Sequence, residues 1–268
     1  MAVIIYRPER RQVIDGVART LSKHEQWYVS DTTRDFHCMG AIIPKAHLVP
    51  GVYRVGSSEF VIIAADFLDQ YKAMRRDAQI ITRKDLGFII GFCGLTKDSV
   101  VVESGAGSGA ATILFAKLCK HVHSYEIEQE NIAVVKDNLA RLGITNTTMT
   151  HGDFYDASIV ERHEADLVLL DLPEPWTAIP SALRAARLGA YIVAYTPSIT
   201  QAAKFVNGLP DTLLHERTTE IIDRDWRIKG DAVRPVTADI GHTAFLTVVR
   251  KIKENTSADP SEEVPGGA

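Results

Sequence analysis

The chain has 268 residues, 46% apolar and 24% charged, which gives room for one large domain or a full domain with a smaller partner and excludes a largely disordered chain. The formal net charge of −4 speaks, on its face, against a nucleic-acid partner, because neutralising phosphates takes lysine and arginine. That excess sits in Glu254, Asp259, Glu262 and Glu263 of a carboxyl-terminal stretch without a base, so the body before it is neutral and can still present a basic face.

At the amino terminus, the apolar run Ala2 to Ile5 gives way to Arg7, Glu9, Arg10 and Arg11, too short for a signal peptide. No stretch approaches the ~20 apolar residues of a membrane span. Cys38, Cys93 and Cys119 are widely spaced without a C-x-x-C pair and read as small buried hydrophobes, signalling neither a disulfide framework nor a zinc site. The chain reads as cytoplasmic. Residues 1–70 carry short β-type runs at Trp27–Val29, Ala41–Ile43, Gly51–Val55 and Phe60–Ile63, punctuated by Asp31-Thr32-Thr33, Pro44, Pro50-Gly51 and Gly56-Ser57-Ser58. They predict a small β-rich amino-terminal domain, with a helix from Asp66 to about Arg76 leading out of it.

Residues 71–253 alternate strand and helix. Strands are expected at Ser99–Glu103, His121–Tyr125, Asn146–Thr150, Asp166–Leu170 and Tyr191–Tyr195. Helices are expected at Gly109–Lys120, Gln129–Leu142, Thr177–Leu188 and Thr200–Leu209. Such alternation predicts an α/β, Rossmann-like, mainly parallel sheet with helices on both faces. The runs Leu213–Ile222 and Thr243–Val249 have no helix between them and predict an antiparallel edge hairpin. Residues 254–268, rich in acid, proline and glycine, read as a disordered acidic tail.

Glu103-Ser104-Gly105-Ala106-Gly107-Ser108-Gly109-Ala110 stands between a strand and a helix, where glycines let the backbone turn tightly and a cofactor approach. It fits both the dinucleotide fingerprint G-x-G-x-x-G/A and the E/D-x-G-x-G-x-G loop of class I S-adenosylmethionine methyltransferases, and alone does not choose between them. Glu126, Asp153 and Asp171 each close or follow a later strand, so their carboxylates line one crevice. Glu126 suits a pair of ribose hydroxyls. Asp153 beside Phe154 suits an adenine, with a carboxylate for its amine and a ring for its face.

Asp171-Leu172-Pro173-Glu174-Pro175-Trp176 ends the fourth strand, two prolines stiffening a loop that holds a carboxylate and an indole over the crevice. With this stretch the chain resembles the tRNA adenine-N1 methyltransferases that act on position 58 of the T loop and, in archaea, also on position 57. The resemblance covers nearly the whole chain. It includes Asp35-Phe36-His37 and Gly40, Arg75-Arg76, Ala78-Gln79-Ile80-Ile81, Lys84-Asp85 and Tyr195-Thr196-Pro197-Ser198 with Gln201. Towards the end it includes Arg224, Trp226, Arg234-Pro235 and Gly241-His242-Thr243-Ala244-Phe245-Leu246. The D-L-P-E-P-W and G-H-T-A-F-L stretches are far more specific than the glycine loop.

The resemblance implies that S-adenosyl-L-methionine is the cofactor, tRNA the substrate and a homotetramer the assembly, with neither metal nor membrane involved. Asp171 would be the catalytic carboxylate facing the adenine, and Tyr195 would flank the target base. Ile81, Ser104, Gly105, Gly107, Ser108, Gly109 and Ala110 would form the methionine pocket beside Asp171. Glu126 would hold the ribose, and Asp153 and Phe154 the cofactor adenine. The chain departs from the family at Thr82, where Tyr or His usually precedes the x-Lys-Asp turn. His37 reads as structural, and Trp176 as a lid or wall of the crevice.

Arg75, Arg76, Arg83 and Lys84, and then Arg224, Arg227, Lys229 and Arg234, are the candidate phosphate contacts, with Trp226 able to stack a base. Three other readings stand beside this one: a class I methyltransferase of another specificity, a non-catalytic tRNA-binding subunit, and an NAD-dependent oxidoreductase. The intact loop and Asp171 argue against the second. No hydride-transfer constellation supports the third.

Overall fold

The computed structural model describes residues 1–15, 17–38, 40–237 and 241–254; the expected tail lies, apart from Glu254, outside them. The chain divides into two compact units, Met1–Met74 and Arg75 onward.

The first unit contains β1 (Val3–Arg7), β2 (Arg10–Ile14), β3 (Val17–Ser22), β4 (Glu25–Val29), β5 (Phe36–Cys38), β6 (Ala41–Ile43), β7 (Gly51–Val55), β8 (Ser58–Ala64) and α1 (Phe67–Lys72). An antiparallel sheet runs in the order β4-β1-β8-β7, with β2–β3 and β5–β6 as separate hairpins. The run read only as a short apolar stretch is thus β1, an inner strand. Val3, Ile4 and Ile5 are all buried, so no alternation marks it as a strand. Phe60, Ile62, Ile43 and Leu48 complete the core with Val3 and Ile5. Asp66 caps α1 in a reciprocal capping box with Asp69. That helix ends at Lys72, short of the expected Arg76; the Arg75 backbone N–H and carbonyl are bonded instead to the Asn138 side chain, at 3.0 and 2.9 Å.

The second unit opens with α2 (Arg83–Cys93), then β9 (Val100–Ser104), α3 (Ala110–Leu118), β10 (His121–Glu126), α4 (Gln129–Arg141), β11 (Thr147–His151) and β12 (Ala165–Leu170). It continues with α5 (Ile179–Ala185), β13 (Ala186–Thr196), α6 (Ile199–Asn207), β14 (Leu213–Glu220), β15 (Trp226–Lys229), β16 (Ala232–Pro235) and β17 (Phe245–Lys251). Sequence patterning did not anticipate α2, whose interior Gly87 and Gly91 are poor helix formers; its buried face is Asp85, Leu86 and Ile89. The expected helix to Leu188 stops at Ala185, because Ala186 already pairs with Ala165 and starts β13.

The seven-stranded sheet has the order β11-β10-β9-β12-β13-β17-β14, parallel through β13, with β17 antiparallel to both of its neighbours. The expected edge pairing of β14 with β17 is present, but β17 lies inside it, and β15–β16 form a hairpin of their own. Val168 and Leu170 of β12 join Val102, Ile192 and Ala194 in one core, while Leu167 and Leu169 are buried on the opposite side of the strand. Burial on both sides is why these strands read as continuous apolar runs. Strand order reverses between β9 and β12, which places the ligand crevice at their carboxyl ends. Ser104 pairs there with Tyr125 and Leu170, and Leu170 with Ala194, so Asp171, just past the end of β12, follows the register position beside Tyr195 of β13. No helix of the described residues is long and apolar enough to cross a membrane.

Candidate active site

The glycine loop leaves β9 and runs into α3 through three residues of positive φ, Gly105, Gly107 and Gly109. Two of them have no room for a side chain. A β-carbon on Gly105 would stand 2.2 Å from the Asp171 carbonyl oxygen, and one on Gly109 would stand 2.9 Å from Val135 Cγ1. The Gly105 N–H donates to the Tyr125 carbonyl at 3.0 Å, and the Gly107 N–H to Glu126 Oε2 at 2.8 Å. Glu126 Oε1 accepts from the Ile127 and Glu128 amides, each at 2.9 Å. Three of its roughly four acceptor positions are thereby filled, leaving about one for a ribose hydroxyl.

Ser104 and Ser108 serve the protein's own backbone. Ser104 is wholly buried, and its hydroxyl donates to the Leu169 carbonyl at 3.2 Å. Ser108 Oγ accepts from the Asp77 and Ala78 amides at 3.0 and 2.9 Å and donates to the Ala78 carbonyl at 3.1 Å. It thereby pins Asp77 and Ala78 beside the loop. Asn138 does the same one step earlier, donating to the Arg75 and Ser108 carbonyls and accepting from the Arg75 amide. Sequence reading passed over Asn138, although it falls in phase with the buried Val134 and Val135 of α4, where a polar residue signals a specific partner.

A small cavity beside the loop is lined by Gln79, Ile80, Ile81, Glu103, Gly105, Ala106, Ala110, Ala111 and Asp171. It has two carboxylates and no base. Burial, with the Glu126 carboxylate adding to it, pushes Asp171 up to about 7. Burial likewise raises Glu103 to about 7, although the Thr112 and Ser124 hydroxyls donate to it. A pyrophosphate would meet like charge here, whereas a sulfonium and an ammonium would neutralise it. The lining thus favours S-adenosylmethionine over a dinucleotide, its cationic centres facing carboxyl acceptors.

Asp153 is exposed, with Oδ1 accepting from the Tyr155 amide at 2.9 Å. Phe154 is 3% exposed and packs edge-on against Tyr125 in the core. The Asp171–Trp176 loop is held from two sides. Gln201 Nε2 donates to the Pro173 carbonyl at 3.1 Å, and the Glu174 amide donates to the Tyr155 hydroxyl at 3.0 Å. Trp176 packs against the core as a wall, with Lys204 Nζ 3.9 Å above its ring.

Tyr195 reaches across to α2, where its hydroxyl donates to Asp85 Oδ2 at 3.1 Å. Lys84 is not the phosphate ligand expected of it: its ammonium donates to Asp85 Oδ1, the Ile221 carbonyl and Thr243 Oγ1. Arg75 pairs with Asp77, while Arg83 is exposed. All eight residues of β15 and β16 are exposed, among them Trp226, Arg227, Lys229 and Arg234, and Arg224 just before them is exposed too. His37 is exposed on β5. Among the described residues there is no group of three His, Cys, Asp or Glu side chains that could hold a metal.

The strand order, the glycine loop and the carboxylates at the ends of β9, β10 and β12 define a class I S-adenosylmethionine-dependent methyltransferase. A family model described as "tRNA methyltransferase complex GCD14 subunit" matches residues 71–242. The tRNA (adenine(57)-N(1)/adenine(58)-N(1))-methyltransferase TrmI of Methanocaldococcus jannaschii is 30% identical over 235 residues, 76% of this chain and 83% of that protein. The tRNA (adenine(58)-N(1))-methyltransferase TrmI of Thermus thermophilus is 30% identical over 210 residues, 76% of this chain and 82% of that protein. In fold, the chain superimposes on the crystal structure of tRNA (m1A58) methyltransferase TrmI from Aquifex aeolicus with TM-score 0.76 and 20% identity, covering 94% of this chain and 97% of that one. The chain belongs to the TrmI/GCD14 family of tRNA adenine-N1 methyltransferases.

Proposed function

We propose that this chain transfers a methyl group from S-adenosylmethionine to N1 of an adenine in the T loop of tRNA, at position 58 and also at position 57. The observation that carries the chemistry is Asp171, a carboxylate at the end of β12 beside both the glycine loop and Tyr195, with no general base needed next to it. Adenine N1 presents a free lone pair, so no proton has to leave before it attacks. When bound, the cofactor supplies an electrophilic methyl group on a sulfonium. Asp171 accepts from the adenine N6 amine, orients N1, and stabilises the positive charge that develops on the purine. Tyr195 flanks the base with its ring. Ile81, Gly105, Gly107, Gly109 and Ala110, with the backbone of Ser104 and Ser108, form the methionine pocket. Glu126 takes the ribose, and Asp153 takes the cofactor's adenine amine in front of Phe154.

The dual specificity at 57 and 58 takes its support from the Methanocaldococcus jannaschii relative, whose name carries both positions. Residues 1–70 act as an accessory β-rich domain and 71–253 as the catalytic domain, followed by the tail 254–268. The assembly is a homotetramer, measurable by light scattering, and the site of action is the cytoplasm, a compartment in which the free thiols of Cys38, Cys93 and Cys119 persist. The direct test is nucleoside mass spectrometry of unmodified tRNA incubated with the purified chain and S-adenosylmethionine. The expected product is 1-methyladenosine; methylation of any other nucleoside in its place contradicts the proposal.

A further inference from the structure

Asp85 is wholly buried, and its carboxylate is closed off by four protein donors. Oδ2 accepts from the hydroxyls of Thr82 at 2.8 Å, Thr243 at 2.8 Å and Tyr195 at 3.1 Å, and Oδ1 accepts from Lys84 Nζ at 2.7 Å. Lys84 directs its other two N–H bonds to the Ile221 carbonyl at 2.6 Å and Thr243 Oγ1 at 2.7 Å. No donor of the ammonium is left over, so the pair is internally balanced. The network joins the start of α2, the end of β13, the chain just after β14 and the chain just before β17.

The consequence falls on Tyr195. Its O–H is committed to Asp85, and burial together with that carboxylate holds the phenol above its ordinary range, so it neither gives nor takes a proton at neutral pH. What it offers is its ring, in an orientation set at the hydroxyl end. Thr82, at the start of α2, supplies a further hydroxyl to the same carboxylate.

We propose that Asp85 is a positioning residue for methyl transfer, fixing through the Tyr195 hydroxyl the ring that flanks the target adenine, with Lys84 as its internal counter-ion. This rests on the base-flanking role of Tyr195 given above. A positioning residue acts on kcat, because a ring displaced by about 1 Å misplaces N1 and costs up to about a hundredfold.

The test uses the full chain labelled with 13Cζ-tyrosine, the Tyr195 signal being identified by its loss in Tyr195→Phe. Asp85→Asn is one variant. Because it strands the Lys84 ammonium, the double variant Lys84→Met with Asp85→Leu, which removes both charges together, is the second. In the wild type the Tyr195 signal should stay in its neutral form well above the ordinary value of about 10, and in either variant, with the Asp85 charge gone and burial remaining, it should titrate at a lower pH than in the wild type. The kcat for unmodified tRNA should fall between about tenfold and a hundredfold, with KM for tRNA and calorimetric affinity for S-adenosylmethionine unchanged. A released Tyr195 signal with unchanged kcat would overturn the positioning role, as would a wild-type Tyr195 that titrates normally. A wild type whose Tyr195 stays clamped but which methylates no tRNA would overturn the functional reading instead, and the two failures are told apart by the spectrum.

Discussion

The carbonyl oxygen of Asp171 lies 2.2 Å from where a β-carbon on Gly105 would stand, so the glycine loop and the chain leaving β12 are packed backbone against backbone. Gly105 is thus required twice, by its φ of 79° and by this close approach. Gly105→Ala should push Asp171 out of register, lowering kcat/KM for methyl transfer by about a hundredfold. Cofactor affinity should weaken with it. Steady-state kinetics and calorimetry check both; an alanine variant with wild-type kinetics contradicts the packing.

Asp171 supplies a pH signature. Its carboxyl is raised from 3.8 to about 7, so the folded chain holds this proton more tightly than the unfolded one. The stability it contributes is complete below about pH 4 and is lost as pH rises through about 7. Asp171→Asn, which has no such proton to lose, should therefore melt higher than the wild type at pH 8, with the gap closing towards pH 4. In the free enzyme kcat/KM should rise between pH 6 and 8 as the carboxylate forms. Thermal melts across pH, beside a kcat/KM profile, test the two halves separately.

His242 should lose its contribution in the same direction, with rising pH, although here the charged form is the one stabilised. Its Nδ1 lies 2.6 Å from Glu220 Oε1 and its Nε2 lies 2.9 Å from the Pro197 carbonyl, two acceptors that only a doubly protonated ring satisfies. Glu220, then the Pro197 carbonyl, raise it above its usual 6.5, against the opposing Lys84. The stabilisation is full below 6.5 and is lost as pH rises through the raised value. His242→Ala should lower the melting temperature at pH 6 and have little effect at pH 9. An equal loss at both values contradicts the charged clamp.

The exposed β15–β16 hairpin should bind phosphates of the RNA backbone. Arg227→Ala and Arg234→Ala should raise KM for tRNA and leave kcat unchanged. Removing either guanidinium should flatten the slope of log affinity against log salt by about 1. Filter binding across a salt series measures it, and unchanged slopes would remove the hairpin from the RNA interface.

Where local chemistry and fold coincide, sequence was sufficient. The glycine loop, Glu126, Asp153 and Asp171 stand at strand ends because apolar runs and turn residues mark those ends. The helix α2 was hidden by Gly87 and Gly91, and β1 by burial on both faces. Tertiary pairing decides what neither residue type nor spacing reveals. Lys84 reads as a surface cation until Asp85 and Thr243 close around it, and the burial of Phe154 edge-on against Tyr125 is set by the packed core. The charge balance points the same way: with net charge −4 and a neutral body, attraction for RNA has to be local.

The most direct test of the account is tritiated methyl transfer from S-adenosylmethionine to tRNA transcripts with adenine 57, adenine 58 or both replaced, using the wild-type chain and Asp171→Ala. Replacing both adenines should abolish incorporation, and Asp171→Ala should lower it on the unaltered transcript by at least about a hundredfold. Full incorporation into the doubly replaced transcript, or full activity of Asp171→Ala, would contradict it.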